Sequence, residues 1–241
     1  MKSFSVTDIG LKRTVNQDYV FSSEQEIGKL PNLFIVADGM GGHNAGDFAS
    51  KYCVQSVIEY VKNSDDVTPI SILDGAIKYA NKMLRQKASE DETLEGMGTT
   101  MVAATVYGKR MLIANIGDSR LYVLNRRIKQ ITKDHSLVEI MVESGKINAE
   151  DARFHPNKNV VTRAIGGIDD SACADFFEVD LNEGDIVLLC SDGLSNMLGD
   201  DEILQTVNEL SSNLEETGKT LIKKANDHGG KDNIAIILMK V

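Results

Sequence analysis

The sequence has little of what marks disordered, fibrous or disulfide-stabilised chains. Only three of its 241 residues are proline and three are cysteine, while 42% are hydrophobic and 26% are charged. That composition is typical of an ordinary soluble globular protein with a substantial core. The cysteines Cys53, Cys173 and Cys190 are far apart and form no Cys-x-x-Cys pair, which argues against a disulfide framework and a zinc knuckle. We expect all three to be buried as small apolar residues.

Long apolar runs and basic residues are also scarce. The N-terminal segment MKSFSVTDIG lacks the apolar block of a signal peptide or a membrane span, so we expect a cytoplasmic chain without membrane insertion. Lysine and arginine number 26 against 36 acidic residues, which gives a formal net charge of −10. Because this charge repels nucleic acid and anionic lipid, we expect no nucleic-acid partner.

Hydrophobic patterning predicts a single domain over residues 1–241, since no repeat or proline-rich linker divides the chain. FSVTDIG alternates like a half-buried strand, and LFIVADG is continuously apolar like a strand covered on both faces. Helical spacing predicts helices over residues 45–61 and about 70–88. Short apolar runs after residue 96 are too closely spaced for parallel crossovers, so they must pair antiparallel.

The second half of the chain repeats both kinds of element. SLVEIMVESG predicts a helix ended by Gly145, and the polar, poorly periodic residues 145–167 predict a flap insertion. DIVLLCSDG and NIAIILMKV predict strands that enclose helices over about 201–210 and 214–226. These elements predict an α+β fold in which largely antiparallel sheet is covered by helix pairs from both ends of the sequence.

Aspartates recur where apolar strands begin or end. Asp38, Asp118 and Asp192 follow apolar runs, and Asp232 precedes the last one. Any one of them has the ordinary explanation of a turn, because Asp-Gly is a common turn dipeptide. Their joint placement predicts a carboxylate cluster at one edge of an antiparallel sheet. Such a cluster needs a cation, and oxygen-only ligands select Mg²⁺ or Mn²⁺.

Eight short motifs in chain order extend this interpretation. They are RTVNQD (13–18), VADGMGGHNAGDFAS (36–50), GTT (98–100), IGDSR (116–120), DHS (134–136), VTRAIGG (161–167), CSDGL (190–194) and KDNIA (231–235). Together they resemble the motifs of the metal-dependent serine/threonine protein phosphatases of type 2C, in their compact bacterial form. The resemblance spans the whole chain and implies a four-layer α/β/β/α sandwich, with two antiparallel sheets and helix pairs outside.

The resemblance also implies a metal centre with two core cations, Mg²⁺ or Mn²⁺, and a third beside them. The implied ligands are the Asp38 carboxylate for both core ions, the Gly39 carbonyl for the first, Asp18, Asp192 and Asp232 for the second, and Asp118 with Asp192 for the third. A hydroxide bridging the core ions would attack the phosphorus of phosphoserine or phosphothreonine directly, without a covalent intermediate.

Two further residues are implied to act on the substrate. Arg13 resembles the family's phosphate-binding arginine, whose planar fork pairs with phosphoryl oxygens. Eukaryotic relatives carry a histidine, proposed as the general acid, where this chain has Met40. His43 is the local candidate for that role, with capping a helix or binding a metal's water as its alternatives. His135 is interpreted as structural.

Missing motifs exclude other routes to phosphoester chemistry. A cysteine phosphatase needs Cys-x5-Arg, but the sixth residues after the cysteines are Glu59, Val179 and Asn196. The Asp-x-Asp-x-Thr motif of aspartyl-phosphate enzymes is absent, and GGHNAGD lacks the lysine of a nucleotide-binding loop. The remaining alternatives are a phosphatase of a small phosphoester and a catalytically silent phosphoprotein-binding protein. By resemblance, the chain acts on phosphorylated proteins and opposes a bacterial serine/threonine kinase. A monomer is the default expectation.

Overall fold

Two antiparallel sheets provide the frame of the computed structural model, which describes residues 1–41, 45–167 and 172–241. The strands are Lys2–Asp8 (β1), Asp18–Ser23 (β2), Leu33–Met40 (β3), Gly98–Thr99 (β4), Met101–Tyr107 (β5), Arg110–Ile116 (β6), Arg120–Leu124 (β7), Ile128–Gln130 (β8), Asp175–Asp180 (β9), Ile186–Cys190 (β10) and Ile234–Lys240 (β11). Sheet one has the order β1-β11-β10-β7-β8. Sheet two has the order β2-β3-β5-β6-β9, with β4 beside β3.

Seven helices occur in the described residues, and five of them pack on the outer faces of the two sheets. They are Ala45–Asn63 (α1), Pro69–Glu90 (α2), Leu137–Glu143 (α3), Ala149–Ala152 (α4), Asp192–Ser195 (α5), Asp200–Leu210 (α6) and Leu214–Asp227 (α7), with a 3-10 turn at Glu92–Leu94. α1 and α2 share a buried apolar cluster with sheet two, whereas α5, α6 and α7 share one with sheet one. The result is the α/β/β/α order of layers that the resemblance implies, and the fold prediction is confirmed.

A third apolar cluster fills the space between the sheets. It contains Phe34 and Val36 of β3, which face Val187 and Ile237 of sheet one, and all four are fully buried. Alternate residues of β3, such as Ile35, belong instead to the cluster under α1 and α2. Because successive side chains of a strand point to opposite faces, a strand buried on both faces must be continuously apolar. This is why LFIVADG lacks alternation.

Local sequence signals fix several helix ends. Thr68 caps α2 by accepting a hydrogen bond from the Ser71 N–H at 3.2 Å, and proline follows at the first helical position. Ser136 caps α3 in the same way, through the Glu139 N–H at 3.3 Å. Gly145 has φ +69° just beyond α3, which confirms the predicted stop.

The structure differs from the predictions at three points. The edge strands β2 and β9 of sheet two were not predicted, since their sequences are short and partly polar. Asp38 lies within β3 and does not end it, because β4 pairs with Gly39 and Met40 and extends the strand. Cys53 and Cys190 are buried, but Cys173 is exposed in the connection that leads to β9. Among the residues that the structure describes, no helical stretch has the length and apolarity to span a membrane.

Candidate metal centre

Asp18 and Asp38 lie side by side at one end of sheet two. They are direct partners in the β2–β3 register, so their side chains point to the same face of the sheet. Thr100 fixes the Asp38 backbone: its hydroxyl accepts from the Asp38 N–H at 3.1 Å, and its N–H donates to the Asp38 carbonyl at 2.8 Å. Asp18 is 6% exposed, so its carboxylate is almost shielded from water.

Asp192 and Asp232 approach from sheet one. Asp192 follows β10 and opens α5, and Asp232 precedes β11, the antiparallel partner of β10. Ser191 links the sheets here, because its hydroxyl donates to Asp18 Oδ2 at 2.6 Å and accepts from the Ala235 N–H at 2.9 Å. The expectation of a single sheet edge was therefore wrong. These strands belong to different sheets, and the aspartates meet where the two sheets face each other.

Asp118 reaches the cluster from the connection between β6 of sheet two and β7 of sheet one. It is 7% exposed. Burial raises the pKa of its carboxyl well above the usual range, and the negative charges of Asp192 and Asp134 raise it further. Asp118 thus lies where the chain crosses from one sheet to the other.

The cluster centres on Asp38. Burial raises the pKa of the Asp38 carboxyl well above its usual range, and four neighbouring carboxylates add to the rise, in decreasing order Asp18, Asp192, Asp118 and Asp232. Burial, together with neighbouring charges, also raises the pKa of Asp18 to about 8 and that of Asp192 to about 6. Like charges at such proximity repel strongly, so full ionisation requires a cation among them.

The donor set fits a hard divalent cation. Asp18 Oδ1 and Asp192 Oδ1 are buried and have no hydrogen-bond partner among the described residues. The other oxygen of each accepts a hydrogen bond, from Ser191 at 2.6 Å and from Asn196 Nδ2 at 2.8 Å. Within the described residues, no group of three or more His, Cys, Asp or Glu side chains is already arranged to hold a metal ion. The orphaned oxygens and the all-oxygen chemistry nevertheless match Mg²⁺ or Mn²⁺.

Arg13 borders the cluster on a loop that precedes β2. Its Nη2 donates to Asp232 Oδ2 at 2.8 Å, and its side chain is 48% exposed. Asn233 holds this loop, since its Nδ2 donates to the Ile9 carbonyl at 2.9 Å and to the Val15 carbonyl at 3.0 Å. The guanidinium is therefore placed beside the carboxylates while part of it faces solvent.

Residues 145–167, the segment predicted as a flap, lie beside Asp118 and Asp192. A cavity of about 360 Å³ lies beside Asp118 and Asp192, and the flap residues Arg153 and Lys158 line it. Lys158 Nζ donates to Asn196 Oδ1 at 3.2 Å, and Arg153 Nη2 donates to the Asn196 carbonyl at 3.4 Å. The same Asn196 donates to Asp192, so this asparagine links the flap to the cluster.

The structure brings most of the predicted site residues together. Asp18, Asp38, Asp118, Asp192, Asp232 and Arg13 converge, and Gly39 lies beside them in β3. A Cβ on Gly39 would lie 1.9 Å from the Gly46 carbonyl oxygen, so the bare backbone lets the start of α1 pack against β3. His43 lies outside the described residues, and its role as general acid stays a prediction.

Ser191 and Asn196 were not predicted. Each had only a weak local signal: Ser191 directly precedes Asp192 in CSDG, and Asn196 follows that aspartate by four residues, one helical turn away. The contact of Ser191 with Asp18 joins residues 173 positions apart, which no local pattern reveals.

Known proteins are similar to this chain in both sequence and fold. The family model described as Protein phosphatase 2C matches residues 12–227. The serine/threonine phosphatase stp of Listeria welshimeri is 38% identical over 241 residues, covering 97% of this chain and 93% of its own. The structure of the serine/threonine phosphatase Stp1 from Staphylococcus aureus gives a TM-score of 0.91 at 36% identity, covering 100% of this chain and 94% of that one. The catalytic domain of the serine threonine protein phosphatase PstP, in complex with 2 manganese ions, gives 0.85 at 32% identity, covering 98% and 96%.

Proposed function

The chain belongs to the protein phosphatase 2C family, and we propose that it hydrolyses phosphoserine and phosphothreonine in proteins with the help of divalent cations. The observation that carries this proposal is the convergence of four aspartates on Asp38, with two buried carboxylate oxygens left without a hydrogen-bond partner among the described residues. A site that only binds phosphoproteins gains nothing from carboxylates that repel one another. A metal-dependent hydrolase requires them, because they hold its cations.

The proposed ligands are the ones that the resemblance implies. Asp38 and the Gly39 carbonyl would serve the core site together with Asp18, Asp192 and Asp232, and Asp118 would join Asp192 at a third position. Bound Mg²⁺ or Mn²⁺ would supply charge neutralisation and a water acidic enough to act near neutral pH. The number of ions in this chain is part of the proposal.

The chain's own residues would orient the phosphoryl group. Arg13 lies at the solvent-facing border of the cluster, and its guanidinium has further N–H donors besides the one given to Asp232. A planar fork of donors beside the metal ligands suits the phosphoryl oxygens, whose charge must be balanced as the ester bond breaks. Thr100 keeps Asp38 in place through two backbone hydrogen bonds, so the central carboxylate needs little reorganisation.

The flap is proposed to contact the polypeptide around the phosphorylated residue. Arg153 and Lys158 line the cavity beside Asp118 and Asp192, and both reach α5 through Asn196. A substrate chain leaving the cluster on this side meets these cations first. The proposed substrates are proteins phosphorylated by a serine/threonine kinase, and the proposed acting form is a monomer.

The test is phosphate release from a phosphothreonine peptide with Mn²⁺, with Mg²⁺ and with excess chelator. We expect metal-dependent release that falls about 1,000-fold in Asp38→Asn, equivalent to roughly 4 kcal/mol of transition-state stabilisation. The matched control is Asp74→Asn, which removes an exposed aspartate paired with Lys78 on α2 and should leave release unchanged.

Four results would contradict the proposal. Phosphate release that persists in excess chelator would contradict the need for a metal ion. Release that survives in Asp38→Asn would contradict the proposed set of metal ligands. Hydrolysis of p-nitrophenyl phosphate without hydrolysis of any phosphopeptide would favour a small phosphoester as the substrate. Tight phosphopeptide binding without release from folded protein would favour a silent binding role.

A further inference from the structure

His135 is a buried residue that the proposed chemistry does not use. It is 6% exposed, and each of its polar groups has a partner. Its Nδ1 accepts from the Gly117 N–H at 3.1 Å, and its Nε2 lies 3.0 Å from Asp175 Oδ2. Its backbone N–H donates to the Gly117 carbonyl at 2.9 Å, and its carbonyl accepts from the Thr162 N–H of the flap at 2.8 Å.

These contacts fix the tautomer of the imidazole. The Gly117 N–H can only donate, so Nδ1 must present a lone pair and the ring proton must be on Nε2. That proton points at Asp175, whose other oxygen, Oδ1, accepts from Arg163 Nη1 at 2.9 Å. The carboxylate thus orients the ring, much as outer carboxylates orient imidazoles in metal sites.

Gly117, which forms two hydrogen bonds with His135, directly precedes Asp118. Gly117 has φ +102°, and a Cβ there would lie 2.5 Å from the Thr100 Cβ, so its backbone cannot move toward Thr100. On the other side of Asp118, the Ser119 hydroxyl pairs with the Thr100 hydroxyl at 2.8 Å. Asp118 is therefore held at both neighbours. On the Gly117 side, His135 supplies the bond to the N–H and the 2.9 Å bond to the carbonyl, which also accepts a longer bond of 3.4 Å from Asn115 Nδ2.

We propose that His135 is a positioning residue for Asp118. By holding both the N–H and the carbonyl of Gly117, it sets the direction of the Asp118 carboxylate toward Asp192, and through Thr162 and Asp175 it ties that carboxylate to the returning end of the flap. This inference rests on the proposed function only in treating Asp118 as a metal ligand. It assigns to the DHS motif a role at the cation position that Asp118 and Asp192 share.

The test uses Mn²⁺ binding measured by calorimetry, beside the Mn²⁺ concentration that gives half-maximal phosphate release. Loss of an outer-shell partner typically weakens metal binding 10- to 100-fold, so His135→Ala should weaken the Asp118-dependent Mn²⁺ site about tenfold. His135→Asn should recover part of that loss, because its amide oxygen can replace Nδ1 as the acceptor for Gly117. The control His228→Ala removes a half-exposed histidine after α7 and should change neither reading.

A double-mutant cycle with Asp118→Asn separates positioning from general destabilisation. If His135 acts through Asp118, His135→Ala should cause no further loss of Mn²⁺ binding in the Asp118→Asn background. An undiminished loss in that background would overturn the inference, as would unchanged Mn²⁺ binding in Asp118→Asn alone. If His135→Ala does not fold, the shape-conserving Asp175→Asn takes its place, with an expected loss of about threefold that must likewise vanish beside Asp118→Asn.

Calorimetry also keeps this inference apart from the proposed function. Mn²⁺ binding that follows the expected cycle, without phosphate release from any phosphopeptide, would support the role of His135 and contradict the phosphatase assignment. Phosphate release that depends on Asp38, together with Mn²⁺ binding that does not depend on His135, would support the phosphatase assignment and contradict the role of His135.

Discussion

Phe34 and Phe154 show how differently the sandwich and the flap are built. Phe34 of β3 is fully buried between the sheets, whereas Phe154 on the flap is 84% exposed. The contrast is general: between residues 145 and 164 of the flap, no side chain that the structure describes is buried, while β3 is buried along most of its length. The aspartates lie between these regions, with their backbones in the sandwich and the flap touching them through Asn196. The comparison teaches that the packing of the sandwich positions the aspartates, whereas the flap meets them through hydrogen bonds at Asn196 and His135.

The largest expected effect compares the two phenylalanines. Phe34→Ala removes a ring from the layer between the sheets and leaves a cavity, which should lower the free energy of unfolding by about 3 to 5 kcal/mol. Phe154→Ala should change it by less than about 0.5 kcal/mol, because the ring is already in water. Urea unfolding of both variants measures the difference. Similar losses in the two would mean that the flap is packed against something and that the comparison is wrong.

A second pair of substitutions compares two glycines that both have ordinary backbone angles. A Cβ on Gly193 in α5 would lie 1.9 Å from the Asn233 carbonyl oxygen, whereas on Gly167 of the flap its nearest neighbour among the residues that the structure describes would be the Ala164 Cβ, 4.0 Å away. Gly193→Ala should lower the free energy of unfolding by about 2 to 3 kcal/mol, despite the better helix propensity of alanine. Gly167→Ala should be neutral or slightly stabilising. Equal melting temperatures for the two variants would contradict the tight packing of α5.

The smallest effect concerns charge and pH in protein stripped of metal with a chelator. The folded-state pKa values of Asp18, about 8, and Asp192, about 6, lie above the ordinary value near 4, so the folded state holds protons that the unfolded state has released. That contribution to stability is complete below pH 4 and is lost as pH rises through 6 to 8. We expect a loss of about 2 kcal/mol between pH 6 and pH 8, with a limit of about 1.4 kcal/mol per pH unit for each proton.

Urea unfolding at several pH values checks this dependence. Asp18→Asn should flatten it and Mn²⁺ should abolish it, while Asp151→Asn on the flap, which removes an exposed carboxylate, should leave it unchanged. A slope that is the same in Asp18→Asn as in the original chain would show that the cluster is not its source.

Much of the fold could be predicted because buried positions recur in the sequence with the period of a helix or a strand. The continuous apolar run of β3 and the helical spacing of α1 and α2 were sufficient to place those elements. β2 and β9 escaped prediction because they are edge strands of sheet two and are only partly covered, so their sequences mix polar and apolar residues. Patterning records how deeply a residue is buried and says little about which strand lies beside it.

The candidate site could likewise be predicted in part: its residues could be identified, but not the contacts between them. Four of its aspartates were recognisable from their positions beside apolar runs, and Asp18 and Arg13 came from the resemblance. The direct pairing of Asp18 with Asp38 and the bridge from Ser191 to Asp18 depend on register and on the docking of two sheets. The hydrogen bonds between His135 and Gly117 could not be predicted either. They join residues 18 positions apart, through a ring whose direction is set by Asp175 in a third segment.

The pairing of β1 with β11 has a consequence for how the chain is made. Arg13 and Asp232 are 219 residues apart yet share a hydrogen bond, and the strand after Asp232 is the one that lies between β1 and β10. A ribosome delivers Asp18 and Asp38 early, but they have no Asp232 to meet until β11 has been synthesised. The nascent chain therefore carries an incomplete set of the proposed ligands through most of its synthesis, and the aspartate cluster assembles only when β11 is inserted between β1 and β10.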